Sequence, residues 1–360
     1  MSGDADATFL GRALELAARG LNTADPNPRV GCVLVRDGRV IAEGWHERAG
    51  QAHAEVAALR AAQREVAGCT AYVSLEPCSH AGRTPPCADA LIAAGVRRVV
   101  APGPDPSPRV AGAGFARLRD AGVQVRTGLL EAEARRLNPG FYSRFERGRP
   151  WVRVKLGMSL DGRTALADGR SRWITGEAAR ADVQRWRARS SAILTGAGTA
   201  RVDDPRLDVR WEYGSWVRQP RRILLDASLS VPGSARLFAG GQALVFSAPG
   251  VNVPAGYPAT VLAVESRNGQ LDLPAVLARL AELEVNEVLV EAGARLSGAF
   301  VQAGLADELL LYMAPLLLGS SAMPLMQLAA PAELASAFRY EYADALRIGD
   351  DLRVLLRRAH

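Results

Sequence analysis

Short apolar segments alternate with segments of helical periodicity along most of this chain. Asp37-Gly38 joins two of the apolar segments and is a strong two-residue turn signal, so a β-hairpin is expected there. The elements predicted in the first 127 residues are helices at 8–20, 54–65, 87–94 and 114–121, and strands at 30–35, 40–44, 71–75, 96–101 and 123–127. Because strands that alternate with helices form layered sheets, this order predicts an α/β fold.

The length of the chain indicates two domains, because 360 residues exceed one ordinary domain of roughly 150. The segment 142–150 is polar and basic and ends in Gly-Arg-Pro, which favours a linker that separates residues 1–147 from residues 148–360. Beyond it, the predicted strands are 151–155, 192–195, 222–226, 243–246, 287–291, 308–318 and 352–356. The second domain is therefore also expected to be α/β.

The charge pattern argues against nucleic-acid and membrane partners. The formal net charge is +6, but the arginines are scattered and no run of about five or six like charges occurs. A phosphorylated small molecule accounts for the positive excess equally well. The N-terminus has no signal-peptide pattern and no apolar run reaches about 18 residues, so a cytoplasmic protein without a membrane span is expected. The sequence leaves a homo-oligomer open.

Three residues of the first half form a pattern that suits a catalytic zinc ion. His53 opens one predicted helix, Cys78 follows a strand, and Cys87 opens the next helix. One imidazole and two thiolates match the tetrahedral preference of Zn²⁺ and leave the fourth position for water, whose pKa bound zinc lowers toward about 7. Glu55 lies in the same helical turn as His53 and can reach that water without being a ligand. It is the candidate catalytic residue for proton transfer.

The alternative to a catalytic site is a structural zinc module, which would need a fourth protein ligand. His80 is the nearest candidate for that position. The remaining thiols, Cys32 and Cys69, occur in or beside a strand without a partner set, so they are expected to be buried and free. Zinc deaminases carry His-x-Glu and then Pro-Cys-x-x-Cys. Here residues 79–86 separate the two cysteines, and their glycine and prolines predict a loop.

Two glycine-rich turns, 195–199 and 291–299, follow strands in the second half. Glycines let a ligand approach a helix N-terminus closely, and the free N–H groups there can bind a pyrophosphate. Neither turn is the GxGxxG fingerprint of a dinucleotide-binding unit, so an ordinary turn remains the alternative at both. Lys155 is the only lysine among 44 basic residues. A guanidinium cannot replace a compact ammonium at a tight site, so a role for Lys155 is predicted.

Longer motifs resemble one known family over nearly the whole chain. They are 26–32 (PNPRVGC), 53–55 (HAE), 75–87 (LEPCSHAGRTPPC), 155–161 (KLGMSLD), 171–176 (SRWITG), 203–205 (DDP) and 291–293 (EAG). The sequence resembles the bifunctional riboflavin-biosynthesis deaminase/reductase family, whose cysteine spacing is specific among zinc deaminases. The resemblance implies an N-terminal cytidine-deaminase-like three-layer α/β/α domain and a C-terminal dihydrofolate-reductase-like α/β domain.

The resemblance also implies two reactions and two cofactors, zinc and NADPH. The first domain would hydrolytically deaminate 2,5-diamino-6-ribosylamino-4(3H)-pyrimidinone 5′-phosphate. The second would reduce the ribosyl group to ribityl with NADPH, giving 5-amino-6-ribitylaminouracil 5′-phosphate. The protein would therefore act on a small phosphorylated pyrimidine.

Individual site residues follow from the same likeness. Those implied to contact substrate are Asn27, His80, Arg83, Asp105, Ser171, Arg187, Leu207, Arg210 and Glu291, and Lys155 is placed with them. Those implied to contact NADPH are Gly157, Trp173, Thr199, Asp203, Gly293, Ala294, Arg295, Leu296, Ser297, Gly298 and Ala299. The chain departs from the family at Ser107, Gly157 and Ala200, where asparagine, alanine and valine are usual.

A second interpretation is a deaminase for a nucleoside or tRNA, with the C-terminal half serving as a binding domain. The absence of a basic cluster in the sequence argues against it. RNA binding that weakens with salt would favour it.

Overall fold

The structure, a computed structural model, describes residues 3–62, 66–79, 85–171, 173–210 and 217–359. It consists of two compact units, Met1–Gly148 and Arg149–His360. Among the helices of these described ranges, none combines the length and the apolar character that a membrane crossing requires.

The first unit contains helices on both sides of a sheet. Its elements are α1 (Gly3–Ala18), β1 (Gly31–Arg36), β2 (Arg39–Trp45), α2 (Ala54–Ala61), β3 (Thr70–Val73), α3 (Cys87–Ala93), β4 (Arg98–Val100), α4 (Ala113–Asp120), β5 (Gln124–Arg126), α5 (Glu131–Leu137) and α6 (Pro139–Arg147). The strand order in the sheet is β2-β1-β3-β4-β5. β1 pairs antiparallel with β2 and β3, and β3, β4 and β5 run parallel.

Side chains alternate along β1 and so bury both faces of this sheet. Cys32 and Leu34 pack with residues of α2, α3 and α4 on one face. Val33 and Val35 pack with residues of α1 on the other. Two covered faces make three layers, which confirms the α/β/α fold expected for the first domain.

The segment 142–150, predicted to be a linker, is mostly helical, because most of it belongs to α6, although the boundary between the two units lies within it. Phe141 and Tyr142 are buried and pack with Leu75, and Phe145 is partly buried against them. Aromatic residues spaced by one and four positions lie on one side of a helix and give it an apolar stripe. The polar and basic residues between them obscured this stripe in the sequence.

The second unit is built on a larger sheet. Its elements are β6 (Trp151–Ser159), β7 (Arg163–Ala165), α7 (Glu177–Arg189), β8 (Ala192–Gly196), α8 (Ala197–Asp203), β9 (Arg221–Leu225), β10 (Ala243–Ser247), β11 (Thr260–Ala263), β12 (Ser266–Arg267), β13 (Gln270–Leu271), α9 (Leu273–Glu282), β14 (Glu287–Glu291), α10 (Ala294–Gln302), β15 (Glu308–Ala314), β16 (Met323–Pro324), β17 (Tyr340–Ile348) and β18 (Asp351–Arg358), with short 3₁₀ turns at Arg236–Phe238 and Leu334–Ser336. The main sheet has the order β11-β10-β9-β8-β14-β6-β15-β18-β17.

The strands from β11 to β15 in this order run parallel, and β18 and β17 are antiparallel additions. Alternate residues of β6, among them Val152 and Val154, enter the apolar core, so Arg153 and Lys155 point to the opposite face. The carboxyl end of β14 lies beside the middle of β6, and the carboxyl end of β8 lies on the other side of β14. This arrangement brings Gly196, Glu291 and Lys155 to one region of the sheet.

The predicted elements agree with the observed ones in type and order, and they differ mainly at their ends. The hairpin is confirmed, with Asp37 and Gly38 both at positive φ, as its turn requires. The second helix ends at Ala61, because Ala62 is extended, and the last part of its prediction, 63–65, lies outside the described residues. The strand predicted to reach 318 ends at Ala314, since the following proline cannot continue the hydrogen-bond ladder.

Candidate functional site

One imidazole and two thiols of the first unit converge at the ends of three elements. His53 directly precedes α2, Cys78 follows β3, and Cys87 is the first residue of α3. His53 Nδ1 lies 3.2 Å from Cys87 Sγ and 3.6 Å from Cys78 Sγ. The three candidate ligand atoms all lie within 4.8 Å of one another. The structure thus brings the three predicted zinc ligands together.

This donor set fits zinc. An imidazole nitrogen and a thiolate bound to one tetrahedral Zn²⁺ would lie ~3.6 Å apart, close to the observed separations. Hydrogen bonds from the thiol and the backbone N–H of Cys87 lower the pKa of Cys78 and favour the thiolate. Within the described ranges no fourth His, Cys, Asp or Glu joins the group. His80 lies outside the described residues.

Glu55 lies in the first turn of α2 and is only 3% exposed. Burial raises the pKa of its carboxyl group to about 7. A carboxyl group that titrates near neutrality can both accept and return a proton at neutral pH. Glu55 is not one of the three ligands, so it is free for that role.

Asn27 is held by a histidine that the sequence analysis did not select. Asn27 Nδ2 lies 3.1 Å from His46 Nε2, and His46 Nδ1 lies 3.0 Å from the carbonyl oxygen of Ala52. Because a carbonyl only accepts, Nδ1 carries the proton and Nε2 accepts from the Asn27 amide. The His46 ring also packs edge-on against His53, with centroids 5.4 Å apart. The one available signal was that only four histidines occur in the chain.

Asp105 is buried in the loop between β4 and α4. Burial raises the pKa of its carboxyl group to about 7, and the charges of Glu76 and Cys78 act in the same direction. Its Oδ1 accepts the backbone N–H of Ser107 at 2.7 Å. Ser107 thus contributes here through its backbone N–H, which any residue other than proline could supply at that position. Arg83 lies outside the described residues.

A cleft of about 2040 Å³ opens in the second unit. The predicted residues that line it are Lys155, Gly157, Ser171, Trp173, Arg187, Thr199, Asp203, Leu207, Arg210, Glu291, Gly293, Ala294, Arg295, Leu296 and Ala299. Ser297 and Gly298 are buried behind the lining. Ser297 Oγ donates to the carbonyl oxygen of Ala292 at 3.2 Å, and a Cβ on Gly298 would lie 2.1 Å from the carbonyl oxygen of Gln327. These two residues support the turn from inside.

Lys155, Arg187 and Glu291 form a charged cluster in this cleft. Glu291 pairs with Lys155 in the parallel register of β14 and β6. Arg187 Nε and Nη2 donate to the two carboxylate oxygens of Glu291 at 2.6 and 2.8 Å. Despite its burial, the positive charges of Arg187 and Lys155 lower the pKa of Glu291 to about 2. Burial lowers the pKa of Lys155, and Glu291 counteracts that effect.

The start of α10 fits the phosphate groups of a nucleotide cofactor. In the described structure no side chain caps this helix, whose N-cap is Gly293, so the N–H groups of its first turn are available to a ligand. Ala294, Arg295 and Leu296 of that turn line the cleft. Gly293 itself donates its N–H to Thr199 Oγ1 at 3.1 Å, which links the two glycine-rich turns.

The other predicted residues differ in their exposure. Trp173 is 70% exposed, with the Arg180 guanidinium 4.5 Å from its ring centroid. Leu207 is buried at a positive φ of 51°. The Arg210 side chain is more than half exposed, and its backbone N–H donates to Gln184 Oε1 at 3.0 Å. An exposed aromatic ring and an exposed guanidinium at a cleft can both contact a ligand directly.

Two family models match the chain. The RibD C-terminal domain matches residues 150–353. The cytidine and deoxycytidylate deaminase zinc-binding region matches residues 4–102. The two matches fall within the two compact units.

Curated relatives are similar over nearly the whole length. The riboflavin biosynthesis protein RibD of Escherichia coli is 47% identical over 96% of this chain and 98% of its own length. The protein of the same name from Haemophilus influenzae is 45% identical over 97% and 96%.

Solved structures are similar over the whole length as well. The RibD of Acinetobacter baumannii has a TM-score of 0.92 and 43% identity, covering 99% of both chains. A Thermotoga maritima protein described as a diaminohydroxyphosphoribosylaminopyrimidine deaminase/5-amino-6-(5-phosphoribosylamino)uracil reductase has a TM-score of 0.87 and 32% identity, again over 99% of both chains.

Proposed function

The chain belongs to the RibD family of riboflavin-biosynthesis deaminase/reductases, and from that premise we propose which of its residues carry out each of the two reactions. It is a bifunctional enzyme with a zinc-binding deaminase domain and an NADPH-dependent, dihydrofolate-reductase-like domain. We assign the deaminase to residues 1–147 and the reductase to 148–360. The substrate is the phosphorylated diaminopyrimidinone carrying a ribosylamino group, the product is 5-amino-6-ribitylaminouracil 5′-phosphate, and the enzyme is cytoplasmic.

In the deaminase, His53, Cys78 and Cys87 hold the zinc ion. Zinc, when bound, supplies a Lewis acid that makes water nucleophilic at neutral pH. Glu55 accepts a proton from the attacking water and returns it to the amine, which leaves as ammonia. Its position supports this role, because the Glu55 carboxyl group is buried beside the ligand group without belonging to it.

The pyrimidine and its phosphate are held around that centre by Asn27, Asp105, His80 and Arg83. The amide of Asn27, with its nitrogen committed to His46, presents its oxygen as an acceptor for a ring N–H or amino group. Asp105, on the loop between β4 and α4, is assigned the same accepting role. A guanidinium suits a phosphate because it donates in a bidentate geometry, which is the role assigned to Arg83.

In the reductase, NADPH, when bound, supplies the hydride that converts ribosyl to ribityl. The residues assigned to hold it are Gly157, Trp173, Thr199, Asp203, Gly293, Ala294, Arg295, Leu296, Ser297, Gly298 and Ala299. Those assigned to the substrate are Lys155, Ser171, Arg187, Leu207, Arg210 and Glu291. Arg187 already donates two hydrogen bonds to the Glu291 carboxylate, so its main contribution is to orient that carboxylate. The more exposed Arg210 is therefore assigned to the substrate phosphate.

The single observation that carries the deaminase proposal is an imidazole and two thiols gathered beside a buried carboxyl group that is not a ligand. A tRNA or nucleoside deaminase shares that centre, but the RibD C-terminal match over 150–353 favours the riboflavin substrate.

An assay that follows ammonia and NADPH in one preparation tests the proposal with the Glu55→Gln variant. We expect bound zinc to stay near the wild-type amount and ammonia release to fall by about 10²–10⁴-fold. NADPH oxidation with the deaminated substrate should be unchanged, which controls for folding. Wild-type ammonia release by Glu55→Gln would refute the assignment.

A further inference from the structure

Glu76 connects the end of β3, which leads to a zinc ligand, with the loop that carries Asp105. It precedes Pro77-Cys78 and is 4% exposed. Its Oε2 accepts the backbone N–H groups of Asp105 and Gly112, both at 2.9 Å, and its Oε1 accepts the N–H of Phe115 at 3.0 Å. One buried carboxylate therefore holds three backbone donors of the segment 105–115.

Two of these donors lie at the start of α4. Gly112 is the N-cap residue and has no side chain with which to cap the helix. The N–H of Phe115 is in the first turn, where no carbonyl within the helix can accept it. A negative charge at a helix N-terminus is favourable, and its hydrogen bonds to N–H groups are stronger than neutral ones. Glu76 thus fixes both the loop at Asp105 and the helix that follows it.

The first turn of α4 also lies directly against Pro77. A Cβ on Gly114 would lie 1.9 Å from the carbonyl oxygen of Pro77 and 3.1 Å from Glu76 Oε1. Such an approach is open only to glycine. A shift of the start of α4 would therefore move the Asp105 loop relative to the Pro77-Cys78 segment.

We propose that Glu76 is a positioning residue of the deaminase: it sets where the Asp105 carboxylate stands relative to the zinc ligands. Glu76 acts through the main chain of Asp105, not on the substrate itself. The proposal rests on the proposed function of Asp105 as a substrate contact. It goes beyond that function by naming the residue that keeps this contact in place.

The variant Glu76→Gln tests this with little change in volume. Its amide nitrogen cannot accept, so at least one of the three N–H groups loses its partner. We expect the KM of the deaminase for the diaminopyrimidinone phosphate to rise about tenfold and kcat to change by less than about twofold. Zinc content and NADPH oxidation should stay at their wild-type values, because neither the ligands nor the second unit is altered.

Two control variants on α4 separate positioning from general destabilisation. Leu118 is fully buried in the core of the first unit. Leu118→Ala should therefore lower the Tm while leaving the Glu76 carboxylate as acceptor for the N–H groups of the segment 105–115. Asp120 is exposed at the far end of α4, so Asp120→Asn removes an acidic charge without lowering the Tm and without removing an acceptor for the segment 105–115. Both should keep the wild-type KM when assayed well below their Tm. A KM rise in Leu118→Ala as large as in Glu76→Gln would overturn the proposal.

The variant Asp105→Asn distinguishes failure of this proposal from failure of the site assignment. If Asp105→Asn raises KM and Glu76→Gln does not, the positioning role is refuted and Asp105 remains a substrate contact. If neither variant raises KM, Asp105 is not a substrate contact and the proposal for Glu76 fails with it. A rise in both, with zinc retained, is the expected result.

Discussion

Arg187 donates two hydrogen bonds to the carboxylate of Glu291, a residue 104 positions later in the chain, at 2.6 and 2.8 Å. Glu291 is also the residue of β14 that pairs with Lys155 on the neighbouring parallel strand β6. A permanently ionised group between two cations gives the cleft a fixed local charge.

Lys155→Arg should remove most of the reductase activity. The ammonium of Lys155 lies 6.0 Å from the Tyr312 ring centroid and beside Glu291, and the wider guanidinium would displace groups that must be positioned closely. We expect NADPH oxidation with the deaminated substrate to fall at least about 100-fold. Ammonia release from the same preparation should not change and serves as the control. Full reductase activity in this variant would exclude a role for Lys155 that requires an ammonium.

Gly298→Ala should weaken NADPH binding. The new Cβ would clash with the carbonyl oxygen of Gln327. The backbone N–H of Gln327 in turn donates to the carbonyl oxygen of Ala294, at the start of α10, at 3.0 Å. The start of α10 must then move, and the Kd for NADPH, measured by fluorescence titration, should rise by about tenfold or more. Deaminase activity is the internal control. A wild-type Kd would mean that the turn does not hold the cofactor.

Cys87→Ser should abolish stoichiometric zinc binding, because a serine oxygen is a harder and weaker ligand for zinc than a thiolate. Elemental analysis should find little zinc in this variant and a normal amount in the matched control Cys69→Ala, whose thiol lies outside the ligand group. Removal of zinc from the wild-type enzyme by a chelator should stop ammonia release and spare NADPH oxidation. Zinc retained by Cys87→Ser would contradict the ligand assignment.

Asp6→Asn should destabilise the first unit in a pH-dependent way. The Asp6 side chain is fully buried and accepts hydrogen bonds from Tyr72, Arg98 and Arg126. Although burial opposes ionisation, these partners lower its pKa from 3.8 to about 2. Because the pKa is lower in the folded protein, ionised Asp6 stabilises the fold by about 2 kcal/mol at pH values above its pKa in the unfolded chain. This contribution is lost as the pH falls from about 4 to 2.

Urea unfolding of both proteins at several pH values measures this effect. The difference in free energy of unfolding between wild type and Asp6→Asn should be largest near pH 7 and should shrink below about pH 4. A difference that does not depend on pH would show that the Asp6 charge is not the cause.

Much of the architecture could be predicted because it follows local patterns. The Asp37-Gly38 hairpin and most of the parallel strands lie near their expected positions, whereas the parallel edge strand β11 was not predicted. The helix α6 was missed, because Ser143 and Arg144 interrupt its apolar stripe of Phe141, Tyr142 and Phe145 and charged residues follow it. In the site, the candidate zinc ligands and Glu55 could be selected because their residue types and spacing are specific, whereas His46 and Glu76 carry no such local signal.

The sequence by itself predicted most strands of the two main sheets, the two-domain organisation and the candidate metal ligands, because periodicity and short motifs are local properties. Only the tertiary structure decided which residues form the long-range hydrogen bonds of the two sites. Arg187 donates to Glu291, Asn27 donates to His46, and Glu76 accepts from backbone N–H groups of the segment 105–115. Those contacts join segments far apart in the chain. Their energies come from burial and from charge at close range, which no local pattern of residues encodes.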